Sequence, residues 1–481
     1  MADYQAIIGM EVHAQLLTRS KMFCGCSADA FGAQPNTNVC PVCLALPGAL
    51  PVANRRAVEQ TVTVGLALNC QINETAVFSR KNYFYPDLPK GYQISMYDFP
   101  LCQHGWVEIE SPDGAQKRIR IRRVHLEEDT AKSYHMVERT LVDFNRAGLP
   151  LIEIVTEPDL RSPEEARQYL MGLRTVLRYL GVSSADMEKG AMRCEANVSL
   201  RPAGSDELGT KVEVKNLNSF RAVKQALAYE IERQAEALDA GQRVRQVTMG
   251  WSEARGQTVE QRAKEESEDY RYFPEPDLPR LQVAPAWVEE LRAALPEMPD
   301  VLQKRFVAEY GLSPLEASVL VDDRNVADYF IRTTEAAVER AIPPRIVANW
   351  ITGDFFRLLK ARDGEISDLQ ITPAALAELI RLVERQEITA SSGKTVLEEM
   401  AATGRPPGEI VRERRLGQIS DQEVLDQIVG ELIAAHPEEV ATYRAGKETV
   451  LQWFMGQVMR ATRGKADPQV VLSLLEEKLK P

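Results

Sequence analysis

Polar residues recur at every second position inside four otherwise apolar, β-branched stretches: Glu11-Val12-His13, His125-Leu126-Glu127-Glu128-Asp129, Glu195-Ala196-Asn197 and Glu213-Val214-Lys215. Residues two apart in a strand share a face. Four strands written this way gather carboxylates, imidazoles, an amide and an ammonium on one side of a sheet. Such a face has the composition of a Mg²⁺ and phosphate site, because hard oxygen ligands hold the metal while lysine offsets phosphate charge. The pattern predicts strands over residues 6–16, 106–110, 118–126, 149–156, 192–200 and 211–215.

Helical periodicity separates these strands and takes over after about residue 290. Ser162-Pro163-Glu164-Glu165 reads as a capping box with proline at the first helical position, followed by the apolar stripe Ala166, Leu170, Leu173, Leu177 and Leu180. Asn218-Ser219 opens a second helix carrying Val223, Ala226, Leu227 and Ile231. Lys215 and Asn216 run into the start of that helix, a favourable place for a phosphate, although a well-capped structural helix reads the same way. Prolines punctuate the chain from Tyr272 to Pro279, as in an ordered closing segment or linker, and again at Gly404-Arg405-Pro406-Pro407-Gly408, where a third domain is expected to begin. Near the end a helix is expected over residues 449–462, with a stop at Gly464 and a new start at Asp467-Pro468.

At 481 residues the chain exceeds what one core usually serves, so two or three domains are expected. A formal net charge of −12 excludes a protein whose main work is coating nucleic acid. Local basic stretches remain, notably Lys117 to Arg123 and Arg460 to Lys465. The absence of a run of about 18 apolar residues, and a start that lacks signal-peptide regions, lead us to expect a cytoplasmic protein with no membrane partner. In a reducing compartment the seven cysteines read as free thiols or metal ligands.

Four of those cysteines form two close pairs. Cys24-Gly-Cys26, thirteen residues, then Cys40-Pro-Val-Cys43 can converge on a tetrahedral, structural Zn²⁺, and the polar sequence between them argues against four reduced core thiols. The usual nucleotide motifs are missing: no GxGxxG occurs, and Gly393-Lys394-Thr395 has Ile388 where a Walker loop requires glycine. Any ATP site must therefore use the sheet face together with Arg80-Lys81-Asn82-Tyr83-Phe84-Tyr85-Pro86-Asp87, which packs two cations, two tyrosines and a carboxylate into eight residues. His13 and His125, each close to carboxylates, join that face. Ser391-Ser392-Gly393-Lys394 reads as a helix cap, and nothing in the chain provides for release of ammonia.

Long stretches of the sequence resemble the B-subunit family of bacterial aspartyl/glutamyl-tRNA amidotransferases. They include Gly9-Met-Glu-Val-His13, Met22-Phe-Cys-Gly-Cys26, Pro35 to Cys43, Arg80 to Ser95, His125-Leu-Glu-Glu-Asp129, Val142 to Gly148, Met192 to Ser199, Lys215 to Phe220 and Asp269 to Pro274. The resemblance implies an α+β fold with a mixed-sheet "cradle" domain (1–292), an all-helical domain (293–405) and a small helical tail (406–481) that binds tRNA. It implies a ligase of protein biosynthesis that works as a heterotrimer with two partners, an amidase (glutaminase) subunit, which releases ammonia, and a small third subunit. There, ATP and Mg²⁺ phosphorylate the side-chain carboxylate of misacylated Asp-tRNA(Asn), Glu-tRNA(Gln) or both. Ammonia delivered by the amidase partner then displaces phosphate. On this reading Glu11, Glu127 and Glu128 hold Mg²⁺, with His13 as a further ligand or support. Lys81, Tyr83 and Lys215 contact phosphate or the aminoacyl end, with Asn216 beside Lys215, and Glu195, Asn197 and Glu213 complete the polar wall. Ala14 after the Glu-Val-His motif, and Glu195 where aspartate is frequent, preserve the ligand chemistry. Lys447, Arg460, Arg463 and Lys465 are the tail cations expected near tRNA phosphates. Two rivals are a zinc-bearing tRNA adaptor without catalysis and a self-sufficient ligase using free ammonium.

Overall fold

The computed structural model describes residues 4–261, 270–362, 364–417, 422–445, 447, 449–462 and 466–480. The chain divides into two compact units, Met1–Met298 and Pro299–Pro481. Strands dominate the first unit and helices the second, an α+β protein.

The first unit is built on a nine-stranded sheet: β1 (Tyr4–Gln15), β2 (Gln71–Ile72), β3 (Cys102–Glu110), β4 (Gln116–Glu128), β5 (Pro150–Thr156), β6 (Met192–Pro202), β7 (Val212–Leu217), β8 (Thr248–Ser252) and β9 (Gln257–Glu260). Their order is β9-β8-β7-β6-β1-β5-β4-β3-β2. Every pairing is antiparallel except the parallel β7–β8 contact. β1 lies between β6 and β5, where alternation is expressed most fully: Ile8, Met10, Val12 and Ala14 are buried on one face, leaving Glu11 and His13 on the other.

Three helices cover the apolar face: α1 (Arg55–Ala67), α2 (Pro163–Tyr179) and α3 (Phe220–Asp239). Val58 and Val62, then Tyr169, Leu170, Leu173 and Leu177, then Val223, Ala226 and Leu227 share one core with Ile8, Val12, Ile152 and Ile154. Burying a side chain of this size contributes roughly 1.5–3 kcal/mol, so the helices fix which sheet face remains open. Ser162 caps α2 by accepting from the Glu165 backbone amide. Half of the expected capping box is re-routed, since Glu165 accepts instead from the amide of Arg161, 2.7 Å away, and from Lys117. Ser219 caps α3 through the amide of Ala222.

In the second unit, Gly393-Lys394-Thr395 lies in the first turns of the helix Ala390–Thr403, capped by Thr389 rather than by either serine. Its glycine has a packing reason: a Cβ there would meet Val383 at 2.7 Å and Trp350 at 3.1 Å. The helix Pro407–Arg414 is tied to the one before it by Arg414 on Glu399, 3.1 Å apart. Beyond it, helices Gln422–Ala435, Pro437–Arg444, Thr449–Ala461 and Pro468–Leu479 enclose their own core of Leu425, Phe454, Val458, Leu474 and Leu475. Asp467 caps the last helix as expected, while Arg463, Gly464 and Lys465 lie outside the described residues, as does Asp269. No described helix is long and apolar enough to cross a membrane.

Candidate active site and metal centres

Strand register turns the alternating pattern into a cluster. Antiparallel pairing sets His13 opposite both Glu153 on β5 and Arg193 on β6, and sets Glu11 opposite Glu195. His125 lies opposite Glu153 from the other side, and Glu213 opposite Asn197. Directly opposed residues in an antiparallel pair stand on the same face. A break in register where β4 meets Val155 and Thr156 sets which β4 residues join this row. Ile119 and Ile121 point into the core before the break, Val124 and Leu126 after it, so the bulge delivers Arg123, His125 and Glu127 to the open face.

The resulting ligand geometry is close. His13 Nε2 lies 3.4 Å from Glu127 Oε1 and 3.4 Å from Glu153 Oε2, and 4.0 Å from Glu11 Oε1. His125 Nε2 lies 3.4 Å from that same Glu153 oxygen and 3.9 Å from Glu127 Oε2. Two sets, Glu11 with His13 and Glu153, and His125 with Glu127 and Glu153, each hold their ligand atoms within 4.8 Å. Acids buried together repel one another unless a cation or protons intervene. The carboxyl of Glu11 accordingly rises to about 7, through burial and then the charge of Glu153. Burial opposes charge on His13, but the Glu153 hydrogen bond and the charges of Glu127, Glu153 and Glu11 outweigh it and carry the imidazole to about 9. These oxygens and imidazoles fit a divalent cation.

Cations and aromatic rings close the site. A small sheet of Ser79–Asn82, Tyr92–Ser95 and Phe273–Pro274 carries Lys81. Alternation separates the two cations of this motif: Arg80 turns away into a bidentate pair with Glu275 at 2.7 and 2.8 Å, while Lys81 lines the cavity. Burial resists the charge on Lys81, but Glu127 above all holds its ammonium above the usual lysine range. Its Nζ sits 4.9 Å from the ring centre of Tyr270, and Tyr97 stacks on Tyr272 at 4.2 Å. Lys215 lies 3.0 Å from Glu195 and 3.4 Å from Glu213. Together these side chains line a cavity of about 690 Å³.

Of the residues expected here, Glu11, His13, Lys81, Tyr83, Glu127, Glu195, Glu213 and Lys215 line that cavity. Glu128 does not: next to Glu127 in a strand it must face the other way, where Lys90 Nζ at 2.6 Å and the amide of Ile94 at 3.0 Å engage it. Asn197 stands on the right face but one step beyond the lining residues, and Asn216 lines the neighbouring cavity. Sequence reasoning missed Glu153 and Arg193, named Arg123 only within the basic stretch Lys117 to Arg123, and assigned no role to Asp129, Tyr270 or Tyr272. Asp129 Oδ2 receives Arg193 at 2.7 Å and Gln15 at 2.8 Å. Burial opposes its ionisation, yet Arg193 and Arg146 hold its carboxyl below the usual range.

The four paired cysteines form a second centre, with the sulfurs of Cys24, Cys26, Cys40 and Cys43 within 4.8 Å of one another. The thiol of Cys24, donating to Cys43, helps bring the latter down to about 4, and fully buried Lys21 adds its charge. Four sulfurs that close, one already favouring thiolate, fit a tetrahedral metal. Cys70, Cys102 and Cys194 are buried packing residues.

Comparison with known proteins agrees with this architecture. Residues 6–289 match the family model described as the GatB/GatE catalytic domain, and residues 330–479 that described as the GatB domain. The chain is 55% identical over 481 residues to the B subunit of the aspartyl/glutamyl-tRNA(Asn/Gln) amidotransferase from Roseiflexus sp. (strain RS-1), covering 99% of this chain and 98% of the relative. Proteins of the same name from Roseiflexus castenholzii and Thermomicrobium roseum are each 54% identical, each over 99% of both chains.

Proposed function

This chain belongs to the GatB family, and from that premise we propose that it activates the side-chain carboxylate of misacylated Asp-tRNA(Asn), Glu-tRNA(Gln) or both for amidation. The observation that carries this reading is the convergence of Glu11, His13, His125, Glu127 and Glu153 beside Lys81 and Lys215 in one cavity. A carboxylate is a poor acyl donor to ammonia. Transfer of the terminal phosphoryl group of ATP to a carboxylate oxygen, releasing ADP, converts it to an acyl phosphate, from which ammonia then expels phosphate.

Each side chain has a place in that scheme. Glu11, Glu127 and Glu153, with His13 and His125, would hold Mg²⁺, which when bound shields the phosphate charge that otherwise repels the approaching carboxylate. Lys81 supplies positive charge where the phosphates lie, held by the tyrosines around it. Lys215 anchors the substrate carboxylate, with Glu195 and Glu213 orienting its ammonium. Arg193, fixed by Asp129, gives the cavity a further cation. Among the described residues no cysteine or serine lines this cavity, and on this reading ammonia is delivered by an amidase partner. That partner, a small third protein and this chain make up a cytoplasmic heterotrimer. Zinc held by Cys24, Cys26, Cys40 and Cys43 would be structural, because four sulfurs leave no position for a substrate. A purely adaptor role leaves the buried acids without a purpose.

Glu127→Gln provides the test. It keeps the shape of the side chain, including its 3.2 Å hydrogen bond with the Ser95 hydroxyl, while removing the charge. ATP cleavage stimulated by misacylated tRNA should fall by about 10²-fold, with glutamine hydrolysis by the assembled trimer retained. Undiminished ATP cleavage would remove Glu127 from the site.

The tail supplies tRNA affinity on the same reading. Lys447, in the link between helices Pro437–Arg444 and Thr449–Ala461, and Arg460, in the last turn of the latter, are exposed and available to phosphates. Because the helix Pro407–Arg414 packs on the preceding helices, the tail is best removed after Gly417. The logarithmic salt dependence of tRNA binding should then flatten by roughly 2 units, one for each phosphate no longer neutralised. An unchanged slope and affinity across a salt series would exclude the tail from tRNA binding.

A further inference from the structure

A second cavity, of about 770 Å³, adjoins the first and shares Arg193, Glu195 and Lys215 with it. The rest of its walls come from parts of the chain that the activation chemistry does not use. The loop between the paired cysteines contributes Phe31, the hairpin of Lys132–His135 and Thr140–Asp143 contributes Tyr134, and the turn before β6 contributes Lys189. Two large aromatic side chains stand open to solvent here, Phe31 at 72% and Tyr134 at 43% exposure. Each carries an ammonium over its ring: Lys189 Nζ lies 5.4 Å from the centre of Phe31, and Lys132 Nζ 4.9 Å from that of Tyr134.

The loop bearing Phe31 is anchored. Asn36 donates its amide to Asp143 at 2.9 Å and accepts that of Phe144 at 2.8 Å, while Asn145 donates to the Gln34 carbonyl at 2.6 Å. On the inner wall Asn216 occupies the left-handed region, with φ of 61°, at the register shift between β6 and β7. That shift brings Asn216 and Asn218 to the cavity lining beside Lys215.

Exposed aromatic faces next to lysines are the means by which proteins hold unpaired nucleotides: bases stack on rings and cations meet the backbone. We propose that this second chamber receives the 3′-terminal adenosine of the aminoacylated tRNA, stacked against Phe31 or Tyr134, so that the esterified amino acid crosses the shared Arg193–Lys215 wall into the first chamber. The inference rests on the activation reading above and names where its RNA substrate is seated. The first chamber has the carboxylates and cations suited to a metal-bound triphosphate. The second has fewer acids in its lining, Asp143, Glu188 and the shared Glu195, and offers rings, amides and the ammonium groups of Lys132 and Lys189, which suit a nucleoside with a phosphodiester.

The test uses the reconstituted heterotrimer with Phe31→Ala and Tyr134→Ala, alone and combined. Loss of stacking should raise KM for misacylated tRNA roughly tenfold, while KM for ATP stays put, and Phe31→Trp should restore affinity. Direct binding should be compared for intact tRNA and tRNA lacking its terminal adenosine. The alanine variants should weaken intact tRNA and leave the shortened RNA where it was. If both RNAs weaken equally, or neither does, or KM for ATP rises instead, the chamber does not hold the terminal nucleoside. A wild-type trimer that fails to cleave ATP with misacylated tRNA overturns the activation reading. One that succeeds while the variants behave as wild type overturns the seating inference alone.

Discussion

Glu153→Gln is expected to lower ATP-dependent amidation by about 10³-fold, the scale at which loss of a single buried electrostatic group acts on a reaction that creates charge. Glu153 holds a more central place than any acid expected from the sequence, because one of its oxygens lies 3.4 Å from both His13 and His125 while the other faces Arg123 at 3.5 Å. Burial disfavours its charge, yet the two imidazoles hold its carboxyl well below the usual range. A neutral amide would leave two histidines without their shared counter-charge and both candidate ligand sets short of an anionic member. The titration behaviour gives an independent readout. In the metal-free protein Glu11 gives up its proton near 7 and His13 near 9. A divalent cation competes with both protons, so its affinity should climb as pH rises through that window and fall below it. The Gln variant removes a charge that raises Glu11 and a partner that raises His13, so both should titrate lower and the rise in affinity should begin at lower pH. Mn²⁺ titrations followed by isothermal calorimetry at several pH values would measure this; an unshifted profile would place Glu153 outside the metal site.

Glu153 also shows where sequence reading stops. The four alternating motifs were legible because their polar residues sit two apart, and the structure gathers the motifs at one sheet face. β5 carries no such mark. Leu151 and Val155 share the face of Glu153, so the strand reads as an apolar run with one acid in it, and only register reveals that this acid opposes both histidines. Arg193 was hidden similarly, because its purpose depends on Asp129, sixty-four residues away in sequence. Glu128 fails for the opposite reason. Two adjacent acids look like a chelating pair, but a strand sends them to opposite faces. The β4 bulge matters as well, since uninterrupted alternation from Ile119 and Ile121 would have turned His125 and Glu127 into the core. Composition could place Lys81 in the site but could not say that Arg80 was already committed to Glu275.

The cysteine centre, by contrast, was readable from spacing alone, and its loss should have a large and local effect. Cys24→Ser and Cys43→Ser each remove one of four convergent sulfurs, and a three-sulfur site should bind zinc far more weakly. Wild-type protein should carry one zinc per chain by elemental analysis and either variant close to none. With free metal about a thousandfold above its dissociation constant, binding stabilises the structure it requires by roughly 4 kcal/mol. That energy is concentrated in the loop, because the cysteines lie outside the strands of the sheet, whose core of Ile8, Val12, Ile152 and Ile154 does not depend on them. Hydrogen exchange should therefore accelerate at Asn36 and Asn38, whose amides donate to Asp143 and Asn145, while amides of β1 and β5 retain their protection. Loosening this loop also loosens Phe31, so metal-depleted protein should bind misacylated tRNA more weakly than it binds ATP, relative to wild type. Global unfolding on zinc removal would mean that the four thiols hold the sheet itself, and full zinc content in both variants would mean that the metal is bound elsewhere.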